Sequence, residues 1–265
     1  MHAPVCRSLL NRNTASNVGC TVGGGYGNTV SGFYAVGGGG YSVVAAGDYA
    51  VAGGGRSNNV SSLYATVAGG DENTAGASAS YSAVAGGQTN FVAAPFASVA
   101  GGQSNAVVAD SGAVGGGKFN SVSSVAGVVG GGWRNTASGS TFDVVGGGYN
   151  NAAQGVAAVV AGGEGNTASG EHSQVGGGES NLASKSYASV AGGGYENTAS
   201  ASYSSVGGGR GNHASSYAAA VGGGRSNTAA GAYSVIAGGY ANEASAQYVH
   251  CGGSFVFGVC CVLHW

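Results

Sequence analysis

The 265-residue chain is 7% charged, has a formal net charge of −2, and carries 57 Gly but only 2 Pro. That excludes collagen, which needs Gly at every third position with abundant Pro, and leaves no electrostatic footprint for nucleic acid or a polybasic membrane patch. Gly costs roughly 1 kcal/mol per site relative to Ala in a helix, which excludes a helical protein, and no apolar run reaches the ~18 residues of a membrane-spanning helix.

In chain order, residues 1–12 are expected to form an N-terminal cap, 13–253 a repeat array, and 254–265 an apolar C-terminal cap or assembly tail. Met1 to Asn13 does not carry the continuous apolar stretch of a secretory signal. From there a phrase of about fifteen residues recurs. Its anchor falls at 22, 36, 51, 67, 84, 99, 114, 129, 144, 160, 175, 190, 206, 221, 236 and 251, and is Val except for Ile236 and Cys251. Gly follows at the second position after every anchor, and at the third after all but the last, where Ser254 stands.

Six or seven residues after the anchor comes Asn: Asn28, Asn58, Asn73, Asn90, Asn105, Asn120, Asn135, Asn150, Asn166, Asn181, Asn197, Asn212, Asn227 and Asn242, with Val43 the exception. Two residues later stands Ala or Val, as in Val30, Val92, Ala152 and Ala168, while the residue between varies freely. A strictly small apolar site beside a free one is the period-2 signature of a strand with one buried face. The anchor with the small residue two before it gives a second strand. Two short strands and two Gly or Asn turns make one coil of an all-β solenoid, a parallel β-roll of about sixteen coils. Fifteen residues at ~3.3 Å each enclose a perimeter of at most roughly 50 Å, hence a thin core of small side chains. Coils stacked every ~4.8 Å would extend roughly 75 Å. The in-register Asn predict a ladder in which each amide bonds turn backbone and the next Asn.

An aromatic column precedes the anchor, including Tyr64, Tyr81, Phe96, Tyr187, Tyr203, Tyr217, Tyr233 and Tyr248. Strand parity places most of these rings opposite the Val, outward or toward another chain. Charges gather just before Asn, in Arg56, Asp71, Glu72, Lys118, Arg134, Glu164, Glu179, Glu196, Arg210 and Arg225. That slot reads as a solvated turn or as a device that sets partner register. Glu164, Glu179 and Glu196 form an acidic band and Arg210 with Arg225 a basic one.

The phrases Gly163-Glu-Gly-Asn166-Thr-Ala168-Ser-Gly170 and Gly132-Trp-Arg-Asn135-Thr-Ala137-Ser-Gly139 resemble the head repeats of trimeric autotransporter adhesins, the YadA-like heads, over about residues 13–253. Similar repeats occur in other fibre-like surface proteins. The family pattern usually has Ser at the slot where this chain has Asn. The resemblance implies a left-handed parallel β-roll, three chains side by side, and adhesive or fibrous use at a cell surface or outside the cell. The expected partner is the chain itself, as a trimer or a head-to-tail filament, with a host or matrix surface as a further ligand.

All five cysteines lie toward the ends: Cys6 and Cys20, then Cys251, Cys260 and Cys261. Three readings stand: buried caps, disulfides between subunits, or a metal site of Cys260 and Cys261 with His250 and His264, whose spacing is not that of a standard zinc site. Gly112-Ala-Val-Gly-Gly-Gly117-Lys118 matches most of a phosphate-binding loop, but Phe119 stands where Ser or Thr must hold the metal. No Ser/His/Asp set is recognisable, so neither enzyme activity nor a cofactor is expected. The other binding class is an ice-binding solenoid, which needs a flat Thr array. Thr14, Thr29, Thr74, Thr136, Thr167, Thr198 and Thr228 supply part of one; Phe91, Leu182, His213 and Glu243 interrupt it.

Overall fold

The computed structural model describes residues 12–252 and the backbone of Cys261–Leu263. Residues 1–11 of the cap predicted for 1–12 and most of the tail, with Cys6, Cys260 and His264, lie outside the described residues. The described chain is all-β, and its parallel strands stack as a β-solenoid of about sixteen turns spaced about 15 residues apart. It divides into two compact units, residues 1–133 and 134–265.

In the first unit, strands from Thr14–Ala15 to Ser121–Val122 form sheet A, and strands from Thr21–Val22 to Val128–Val129 form sheet B. In the second unit, sheet A runs from Thr136–Ala137 to Glu243–Ala244 and sheet B from Val144–Val145 to Val249–Cys251. Nearly every strand is two residues long, one outward and one inward. Ser98 pairs with Ala113 outside while Val99 pairs with Val114 inside. Val30, Val60, Val92, Ala168, Val175 and Ile236 are buried, and pack the two sheets of each unit together. At ~25 cal/mol per Å² these small side chains yield little per turn, so stability accumulates turn by turn against neighbours.

Two corners close each turn. The first is the aromatic corner; the second follows the Gly run and carries a single β-bridge, such as Gln88 to Gln103. Each corner holds a residue in the left-handed backbone region, for example Phe96 (φ 55°) and Ser104 (φ 54°). Non-Gly residues visit that region at roughly 1–2 kcal/mol each, so the ladders on either side must hold them there.

The predicted Asn ladder forms, and its geometry is specific. Asn105 Oδ1 accepts the backbone N–H of Asn120 at 3.0 Å, while its Nδ2 donates to the carbonyls of Gly101 (2.9 Å) and Gly117 (3.0 Å). One side chain thus ties its own Gly turn to the next coil twice over. Except for the half-buried Asn242, the ladder Asn are buried with their amides hydrogen-bonded, the condition under which a buried amide stabilises rather than costs. At Val43 the backbone N–H still bonds Asn28 Oδ1 (2.9 Å), but no amide continues the ladder.

The structure corrects the register at three anchors. Val36, Val51 and Val144 face outward; Gly37, Ala52 and Val145 take the inner position. The third slip carries through its coil. Asn150 is exposed at φ 55°, and Asn151 is the buried ladder residue, with Ala153 rather than Ala152 inside. A one-residue slip exchanges the two faces of a strand, so burying the right set fixes the register. At Gly37 a Cβ would stand 2.7 Å from Val30 Cγ2, so the larger residue across the core already fills that space.

Candidate interaction surfaces

Among the described residues no group of three or more His, Cys, Asp or Glu is placed to hold a metal ion, and no helix is long and apolar enough to cross a membrane. The segment resembling a phosphate loop is an ordinary repeat corner: Gly117 has φ 80°, and Lys118 Nζ lies 5.3 Å from the centroid of the Phe119 ring. His172 stacks on Tyr187 at 5.0 Å, while His213 occupies the outer row of sheet A.

The aromatic corner forms ring ladders. In the first unit Tyr34, Tyr49, Tyr64, Tyr81 and Phe96 stack successively with centroids 4.7–5.5 Å apart and interplanar angles of 8–15°. In the second, Tyr187 and Tyr203 stack at 5.1 Å, as do Tyr233 and Tyr248, while Tyr217 sits edge-on to Tyr203 (67°) and Tyr233 (72°). Tyr217 turns because Ala218 takes the left-handed position in its coil. The rings point outward as expected, but not through strand parity: most occupy the left-handed corner position rather than a strand. Stacking covers ring faces and leaves edges and hydroxyls in water. That geometry contributes about 0.5–1.5 kcal/mol per pair and removes the free faces a sugar platform would need.

The outer row of sheet A carries the Thr. In the second unit it reads Thr136, Ala152, Thr167, Leu182, Thr198, His213, Thr228, Glu243, so no two Thr stand on neighbouring rungs.

Sheet B presents a different outer face. In the first unit Thr66, Ala68, Ala83, Ala85, Ser98, Ala100, Ala113 and Gly115 line a shallow, almost wholly apolar concavity. The second unit repeats it with Ser189, Ala191, Ser205, Gly207, Ala220, Gly222 and Ala237. Small side chains in register leave a smooth face on which another backbone can lie closely.

The Gly corner carries the charges. Arg56 and Asp71 are bridge partners, and the Arg56 guanidinium bonds the Asp71 carboxylate through Nε (2.6 Å) and Nη2. The hydrogen bond from Arg56 holds the Asp71 carboxyl below the usual carboxylate range. Both groups lie on the surface, where such pairs add little to stability.

Near the start of the array, Cys20 is buried and its thiol donates to the Asn17 carbonyl at 2.8 Å. Cys251 is also buried, and its backbone pairs with Cys261 in the antiparallel ladder between Val249–Cys251 and Cys261–Leu263.

Compared with known proteins, the chain matches no family model and shows no significant similarity to any curated sequence.

Proposed function

We propose that the chain is a structural or adhesive subunit of an extracellular surface fibre, whose copies pack side by side through the outer face of sheet B. The observation that carries this reading is the smooth Ala, Gly and Ser face repeated in both units. An apolar face running along a repeat array is ordinarily covered by a partner. With so little charge, a free monomer would be poorly protected against association. The resemblance to YadA-like heads supports three chains as the number and a cell surface, or beyond it, as the site of the assembly. The exposed Tyr corner and the outer row of sheet A then remain free to meet a host or matrix surface.

Sedimentation equilibrium tests this reading. The full chain is expected to be oligomeric at low micromolar concentration. Ala100→Glu combined with Ala191→Glu places a charge on the face in each unit and is expected to lower the mass of the assembly with an unchanged far-UV spectrum. A monomeric parent chain, or a charged variant of unchanged mass, would overturn it.

A further inference from the structure

We propose that two copies of the chain also dock antiparallel along the Gly corner of the second unit, Glu against Arg, about a two-fold axis at Tyr195. The partner is a second copy, so the proposal deepens the reading of a self-assembling subunit, but it uses an edge separate from sheet B.

The corner is a single column of β-bridges in continuous register: Tyr149, Glu164, Glu179, Tyr195, Arg210, Arg225, Tyr240. Read outward from Tyr195, the column is symmetric in shape and antisymmetric in charge. One rung away stand Glu179 and Arg210, two rungs away Glu164 and Arg225, three rungs away Tyr149 and Tyr240. A copy turned end for end about Tyr195 therefore sets Glu179 opposite Arg210 and Glu164 opposite Arg225, each twice, with Tyr149 opposite Tyr240. An isologous contact requires this self-complementarity.

Within one chain the pattern sets like charges on neighbouring rungs. Rungs lie ~4.8 Å apart, so Glu164 beside Glu179 and Arg210 beside Arg225 are like-charge neighbours, which destabilise a ladder. Tyr195 separates the two signs. The first unit solves the same problem differently: Arg56 and Asp71 occupy adjacent rungs and neutralise each other. In the second unit the Arg are held along the corner by aromatic rings instead. The Arg210 guanidinium carbon lies 5.3 Å from the Tyr195 centroid, and that of Arg225 lies 5.7 Å from Tyr240. Glu164, Glu179, Arg210 and Arg225 are all exposed. Gly163, Gly178, Gly194, Gly209 and Gly224 immediately precede column residues and keep that flank of the edge low. Glu196 is a further charge beside the axis; as an acceptor toward the Tyr195 hydroxyl it holds that phenol above its usual pKa.

A charge exchange tests the docking. In the full chain, Arg210→Glu with Arg225→Glu leaves only acids in the column, and Glu164→Arg with Glu179→Arg leaves only bases. Each variant alone is expected to lose a salt-sensitive association step, weakening it by about a hundredfold or more, and an equimolar mixture is expected to regain it. Tyr195→Cys in the otherwise native chain is expected to yield, on mild oxidation, a link between position 195 and position 195, identified by peptide mass mapping. Wild-type association of either charge variant, or a mixture that stays apart, would overturn the proposal. So would restored association without the 195–195 link, since a parallel stagger would explain it. The sheet-B variant should keep this contact, so failure of the lateral packing and failure of the corner docking are separable.

Discussion

Asn151→Ala is expected to destabilise the protein by about 2–4 kcal/mol, whereas Asn150→Gly, one residue away, is expected to be neutral or slightly stabilising. Asn151 Oδ1 accepts the Asn166 N–H at 3.0 Å, and its Nδ2 donates to the carbonyls of Gly147 (2.9 Å) and Gly163 (2.8 Å). Truncation strips a buried N–H and two carbonyls of a partner with no water to replace it. Buried groups left without a partner cost about 1–3 kcal/mol each, and Gly163 O keeps the Tyr149 N–H, which moderates the sum. Asn151→Asp is a sharper version. It keeps the acceptor, loses both donors and buries a charge. The raised carboxyl pKa of such a group means its penalty is present at neutral pH and relieved in acid. Urea denaturation followed by far-UV circular dichroism measures all three variants. Equal effects at 150 and 151 would contradict the register.

Gly102→Ala is expected to cost about 4 kcal/mol or more, enough to unfold the turns around it. Its φ is 91°, and a Cβ there would stand 2.1 Å from the Gly117 carbonyl oxygen and 2.7 Å from Asn105 Nδ2. Backbone strain and a backbone clash coincide with damage to the Asn ladder. Gly115→Ala is the matched control. Its Cβ would also approach the next coil, at 2.4 Å from Gly130 O, yet Ala68, Ala85, Ala100 and Ala161 already occupy the equivalent slot in other coils. Neighbouring coils evidently yield there, so the control should cost under about 1 kcal/mol. Thermal melts of the two variants compare them directly; a mild Gly102→Ala would show that the Gly run is not required by geometry.

Much of this fold is legible in the residues because a short period repeats its own spelling. Asn, two small inner positions and paired Gly recur often enough that chance cannot maintain them. What escaped was a choice of one residue in three coils. In two of them, following Val rather than spacing placed Val36 and Val51 inside. Counting six residues back from Val43 and from Asn58 instead gives Gly37 and Ala52, the residues that are buried. The third coil is degenerate: Val144-Val145, Asn150-Asn151 and Ala152-Ala153 are doublets, and either member of each fits the pattern. Packing decides it, by putting Tyr149 on the bridge and Asn150 in the left-handed position that Asn tolerates better than Tyr.

The surfaces were less legible than the core. An outward aromatic column could be read, but not that most of its rings stack face to face and present edges and hydroxyls to water. The acidic and basic bands could be read, but their symmetry about Tyr195 emerges only when the extra residue between Glu179 and Tyr195 is absorbed in the Gly turn. There Gly192, Gly193 and Gly194 take up the added length and the bridge column stays in register. The sheet-B face gave no signal of its own, because Ala, Gly and Ser outside a strand are unremarkable until the ladder aligns them.

Hydroxyl-radical footprinting of the native assembled material tests the side-by-side packing most directly. Val36 and Val128 on sheet B are 40% and 38% exposed in the single chain, comparable to Tyr49 at 43% on the aromatic corner. Val36 and Val128 are expected to be strongly protected relative to the sheet-B variant Ala100→Glu with Ala191→Glu, while Tyr49 and Tyr64 react equally in both. Equal oxidation of Val36 and Val128 in the native material and in the variant would contradict that packing.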